Sequence, residues 1–91
     1  MTTITDNLAE HRFELATGSE PASVYYRLED ETVVLSHTQV PFEHAGQGLG
    51  TSLAKGVFEL MRRRGKRVQV RCDFMGRFVA QHPEYEDVLA R

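Results

Sequence analysis

The 91-residue chain has one cysteine, three prolines and no long apolar run. A lone Cys72 excludes an internal disulfide, and with no basic-apolar leader at the start the expected compartment is the cytosol. The missing apolar run leaves nothing of membrane-spanning length. Few prolines beside 41% hydrophobic and 26% charged residues exclude disordered and fibrous classes. The length excludes a second domain, and a domain this small buries only a little over ~60% of its unfolded surface. The expectation is one domain over residues 1–91, monomeric or homodimeric, without a metal. No repeats or low-complexity tracts appear.

What is present is unevenly spread. The net charge is −2, yet the first 31 residues carry seven acids against Arg12 and Arg27, while residues 62–77 carry seven bases. One half can attract anions. Residues 1–10 show no periodicity and are expected to be a flexible lead-in. Residues 12–16 and 23–29 alternate as strands do, with the turn-forming "TGSEPA" between them. "LEDET" then reverses the chain into residues 32–40, where Val33, Val34 and Leu35 make the strongest strand of the sequence. These three segments predict an antiparallel meander.

The period changes next. Leu49, Leu53, Val57, Leu60 and Met61 recur on one helical face, which predicts a helix over residues 50–65. Gly65 suits a left-handed cap, and Arg62, Arg63 and Arg64 suit the negative end of the dipole. "KRVQVRC" at 66–72 alternates again as a strand. Strand, helix and strand form a right-handed crossover. Residues 73–82 and 84–90 read as two short helical segments parted by Pro83. The fold class is α/β (α+β): an antiparallel meander, a strand-helix-strand crossover and short C-terminal helices.

The stretch "EHAGQGLGTSLAKG" places Gly46, Gly48 and Gly50 just before that helix. A dinucleotide fingerprint needs a glycine where Thr51 stands, and a P-loop needs a hydroxyl residue after its lysine, where Gly56 follows Lys55. Both readings fail. Their shared physics remains, because a glycine-rich turn brings backbone N–H groups close to an anion and the helix adds its positive end. A plain strand-to-helix turn that binds nothing is the competing reading of the glycines alone.

The neighbouring residues favour the first. "VPFEHAGQGLGTSLAK" resembles motif A of the GNAT acetyltransferase superfamily, in which a strand ending in Val-Pro leads through a glycine turn into a helix. Gln47, Gly48 and Gly50 match, whereas Ala45 stands where the family usually has Arg or Gln. "VRCDFMGRFVAQHPEYEDVL" is similar to the C-terminal signature of short YjdJ-like GNAT domains, through Cys72, Phe74 and residues 82–85. With "HTQVP" at 37–41, the resemblance covers residues 12–90.

The resemblance implies acetyl-CoA as acyl donor, its pyrophosphate held by Ala45, Gly46, Gln47, Gly48, Leu49, Gly50 and Thr51. It implies backbone contact from Val40, splayed parallel strands at 32–40 and 66–72, and Phe74 lining the thioester pocket. Cys72 and His37 are the implied catalytic pair; in isolation a strand histidine or buried cysteine is more often structural. Alternation sets His37 on the face of Val33 and Leu35, and Cys72 with Val68 and Val70, so the two meet unless a bulge flips the register. A thiol beside an imidazolium ionises more readily than a free one at ~8.5. Either His37 deprotonates the acceptor amine while Cys72 protonates the leaving thiolate, or Cys72 itself carries the acetyl group.

The run "RRRGKRVQVR" reads first as a solvated helix end and strand edge, then as a contact for the 3'-phosphate of coenzyme A. Nucleic-acid binding ranks last, because the net charge is negative and no aromatic-studded strand accompanies the run. Tyr85 and His82 read as packing and capping residues. The expected function is acetyl transfer to an unidentified amine, on a small molecule or a protein. The rivals are a non-catalytic acyl-CoA binding or sensing module and a small interaction protein whose glycine loop is only a turn.

Overall fold

The first strand lies where a flexible lead-in was expected. In the computed structural model, which describes residues 3–18, 20–41 and 48–90, Ile4–Asn7 (β1) pairs antiparallel with Arg12–Leu15 (β2). Four residues are too few to show a period, and their anchors are distant in sequence. Asn7 donates from its amide to Glu14 at 2.9 Å. Asp6 accepts from the Tyr26 hydroxyl at 2.6 Å and from Arg64 at 2.9 Å.

The meander continues through Ala22–Glu29 (β3) and Thr32–Gln39 (β4). Leu49–Arg64 (α1) then leads to Arg67–Val70 (β5), which pairs parallel with β4. The sheet order is β1-β2-β3-β4-β5. Asp73–Gln81 (α2) and a 3-10 segment, Pro83–Val88, complete the chain. Its last residues cover the free edge of β5, where the Ala90 N–H donates to the Val68 carbonyl at 2.7 Å.

One face of the sheet carries the core. Phe13, Val24, Tyr26, Val33, Leu35 and Val68 pack against Leu53, Val57, Phe58 and Met61 of α1, with Met75, Phe78 and Tyr85 closing the cluster. The apolar stripe of α1 is thus confirmed in Leu53, Val57 and Met61, while Leu49 and Leu60 sit at its half-buried margin. Gly65 caps the helix at φ 68°, its N–H donating to the Arg62 carbonyl. Glycine adopts that left-handed backbone without a Cβ penalty.

The register of β4 changes partway along. Tyr26 pairs with Leu35 but Tyr25 pairs with His37, so Ser36 is an extra residue, and its hydroxyl donates to the Tyr25 carbonyl at 3.2 Å. A bulge of this kind reverses which residues face the core. Before it, Val33 and Leu35 point inward; beyond it, Thr38 does, and His37 turns to the open face.

Candidate functional site

Strands β4 and β5 separate soon after they pair. Their register runs from Thr32 opposite Arg67 to Leu35 opposite Val70, and the last bond is from the Arg71 N–H to the Leu35 carbonyl at 2.8 Å. β4 goes on through Ser36, His37, Thr38 and Gln39, whereas Cys72 turns away as the N-cap of α2. Among the described residues the far half of β4 therefore has no ladder partner on the β5 side, and its backbone there is open to an extended ligand. Val40 follows directly, half-buried against the core.

At that mouth the Thr38 hydroxyl lies 3.2 Å from the Cys72 sulfur, and both side chains are partly buried. Sequence alternation expected His37 in this place. The Ser36 bulge corrects the expectation, because His37 now lies beside Tyr25 on the opposite face, their rings tilted and 5.9 Å apart between centres. Nothing in "TVVLSHTQ" marks the bulge, since it contains no glycine. Thr38 was the residue that sequence reasoning missed.

The open face has its own polar network. Arg12 donates to the Tyr25 hydroxyl at 2.9 Å and pairs with Glu14. The Asn7 amide, then Arg12, hold the Glu14 carboxyl below its ordinary range. Ser23, Tyr25, Gln39 and Pro41 line a cleft beside it.

The start of α1 lies on the core side of the sheet, against α2. Gly48 adopts φ 75°, no side chain caps the helix, and its first turn contains no acid. Ser52 N–H makes the first helical bond, to the Gly48 carbonyl at 3.1 Å. The N–H groups of Leu49, Gly50 and Thr51 are left without intrahelical partners, as at every helix start. With no carboxylate or cap competing among the described residues, this end fits an external anion. Gly50 is tight for a different reason: a Cβ there would stand 2.5 Å from the Phe74 ring, which packs over the first turn and would have to shift. Phe74 thereby lines the cleft between α1 and α2. Ala45, Gly46 and Gln47 lie outside the described residues.

The basic run goes elsewhere. Arg62 grips Asp87 through two nitrogens, at 3.1 and 2.6 Å, Arg64 pairs with Asp6, and Arg67 donates to the Asp87 carbonyl. These groups sit at the far end of a 16-residue helix, about 24 Å from its start, which accords with the first reading of the run, a helix end and strand edge, and sets aside for them its second, contact with the coenzyme. Tyr85 and His82 serve packing and capping as expected: Tyr85 is buried against Phe58, and His82 Nδ1–H donates to the Phe78 carbonyl at 2.9 Å. No helix among the described residues is long and apolar enough to cross a membrane.

Comparison with known proteins agrees with this geometry. The family description of GCN5-related N-acetyl-transferases matches residues 12–88. The chain is similar to the solution structure of a GCN5-like protein from Staphylococcus aureus, with 26% identity and a TM-score of 0.73. That alignment covers 98% of this chain and 88% of the other. No curated protein matches the chain.

Proposed function

Because the chain belongs to the GCN5-related N-acetyltransferase family and is an acyltransferase, we propose that it moves the acetyl group of acetyl-CoA onto an amine. The observation that carries this reading is the parting of β4 and β5 beside an uncapped helix start. The pyrophosphate lies on the N–H groups of residues 48–51. The pantetheine arm follows the open backbone of β4 past Val40, which delivers the thioester to the mouth held by Thr38 and Cys72.

At that mouth the chemistry belongs to Cys72. Its thiolate attacks the acetyl carbon, the carbon–sulfur bond to coenzyme A breaks, and the departing thiolate takes the proton that Cys72 gave up. The amine then attacks the cysteine thioester and Cys72 leaves as thiolate, regaining a proton from the amine. Thr38 supports this route, because a hydroxyl 3.2 Å from the sulfur can donate to it whenever it carries charge. The amine reaches the mouth neutral, so the one proton it gives up is the one Cys72 regains, and His37, on the opposite face beside Tyr25, takes no part in this step.

Gly48→Val tests the site. Gly48 has nothing within 4 Å of where a Cβ would stand, so the substitution strains the backbone without a clash and puts bulk at the cradle. Coenzyme A affinity measured by calorimetry should fall about tenfold or more, the loss of one charge-assisted contact or its equivalent. Unchanged affinity in a folded variant removes the site.

A further inference from the structure

The cleft between α1 and α2 contains a cation that the proposed pyrophosphate cradle does not use. Its walls are Thr51, Phe74, Arg77, Phe78, Gln81 and His82. The floor is aromatic, with Phe74 against Gly50 and Phe78 stacked on His82 at 4.1 Å. Its rim is polar, because Thr51, Arg77 and Gln81 are exposed. Arg77 makes no ion pair among the described residues. Asp73, one turn earlier on α2, lines the groove on the other flank of that helix with Arg71, Cys72 and Gly76. Arg77 stands on the ridge between and lines both.

We propose that this cleft binds the 3'-phosphate of coenzyme A, with Arg77 as its cation. The inference rests on the reading of the α1 start as the pyrophosphate site. In coenzyme A both groups are carried by one ribose, so the subsite for the 3'-phosphate must adjoin the pyrophosphate cradle. Thr51 belongs to both, through its backbone in the first turn and its side chain on the cleft wall. The cations at the far end of α1 are too distant, and Arg62 and Arg64 are paired with carboxylates. Lys55 lies one turn further along α1 and is not on the cleft wall, and Arg71 faces the other flank of α2. A planar guanidinium suits a phosphate dianion, and no carboxylate lines this cleft to compete for it.

Calorimetry with coenzyme A and with 3'-dephospho-coenzyme A tests the assignment on the wild type and on Arg77→Gln, Lys55→Gln and Arg71→Gln. The wild type should prefer coenzyme A by about tenfold, the scale of one charge-assisted phosphate contact. Arg77→Gln should abolish that preference while its affinity for the dephospho compound stays at the wild-type value. Lys55→Gln and Arg71→Gln should keep the preference. If Arg77→Gln still discriminates, or if either other variant loses discrimination, the assignment is wrong. A wild type that binds both compounds equally overturns the 3'-phosphate subsite and leaves the pyrophosphate cradle standing. One that binds neither overturns both.

Discussion

The two ends of α1 share a backbone device and differ in everything around it. Gly48 and Gly65 both take left-handed φ, at 75° and 68°, and neither has an atom within 4 Å of where a Cβ would stand. At the far end the last turn is held from outside the helix: Arg62 to Asp87 and the Glu84 carbonyl, Arg64 to Asp6, Lys66 N–H to the Met61 carbonyl. The near end has no cap, no acid and no such bracing among the described residues. A helix end that is satisfied internally contributes to stability, and one left unsatisfied is available to a ligand.

The largest effect expected from this contrast is chemical. Cys72→Ala should reduce acetyl transfer by about a hundredfold or more, the scale of losing a catalytic group, while coenzyme A still binds. Rapid-quench mass spectrometry without acceptor should show an acetyl adduct on wild-type Cys72. Retained turnover in the variant takes Cys72 out of the mechanism. An inactive variant whose wild type never forms the adduct favours direct transfer, with Cys72 as proton donor to the leaving thiolate.

Gly65→Val sharpens the comparison with Gly48→Val. Each places a branched residue in the left-handed region, at a cost of about 1–2 kcal/mol, which lowers Tm by roughly 4–8 °C per kcal/mol in a domain this size. Only Gly48→Val should also weaken coenzyme A. Equal loss of affinity in the two variants would show that strain alone, not the cradle, governs binding.

The smallest effect concerns pH at the braced end. Burial, then the hydrogen bond to Asp6, push Tyr26 up to about 12, and burial with Glu59 raises Tyr85. A raised folded value means that the protonated phenol contributes stability below the unfolded value of ~10. That contribution is lost as pH climbs from about 10 to 12. Asp87, held down chiefly by its hydrogen bond to Arg62, works in the opposite sense: its contribution is present above the usual carboxylate range and lost as pH falls through its lowered value. In Tyr26→Phe, which keeps the ring stacked on Phe13 at 4.5 Å, thermal melts should show a shallower alkaline decline. A decline as steep as that of the wild type would separate Tyr26 from the alkaline loss.

Local pattern was enough to read most of the elements. Val33, Val34 and Leu35 mark their strand by composition, the spacing of Leu53, Val57 and Met61 marks α1, and Gly65 marks its end, because propensity, period and capping are all properties of neighbouring residues. Gly48 and Gly50 were legible as a pair by position alone. Their reasons differ, one a left-handed backbone and the other a ring from α2 at contact distance, and the second exists only once the chain has folded. β1 escaped notice because Ile4–Asn7 is held by Glu14, Tyr26 and Arg64, none of them a neighbour. The basic run looked like one patch, yet tertiary packing sent Arg62 and Arg64 to carboxylates and left Arg77, at the opposite end, without an ion pair among the described residues. The exchange of His37 for Thr38 beside Cys72 depended on a single inserted residue. Strand alternation has a period of two, so the Ser36 bulge moves every later side chain to the other face, and only pairing with β3 decides where a bulge falls.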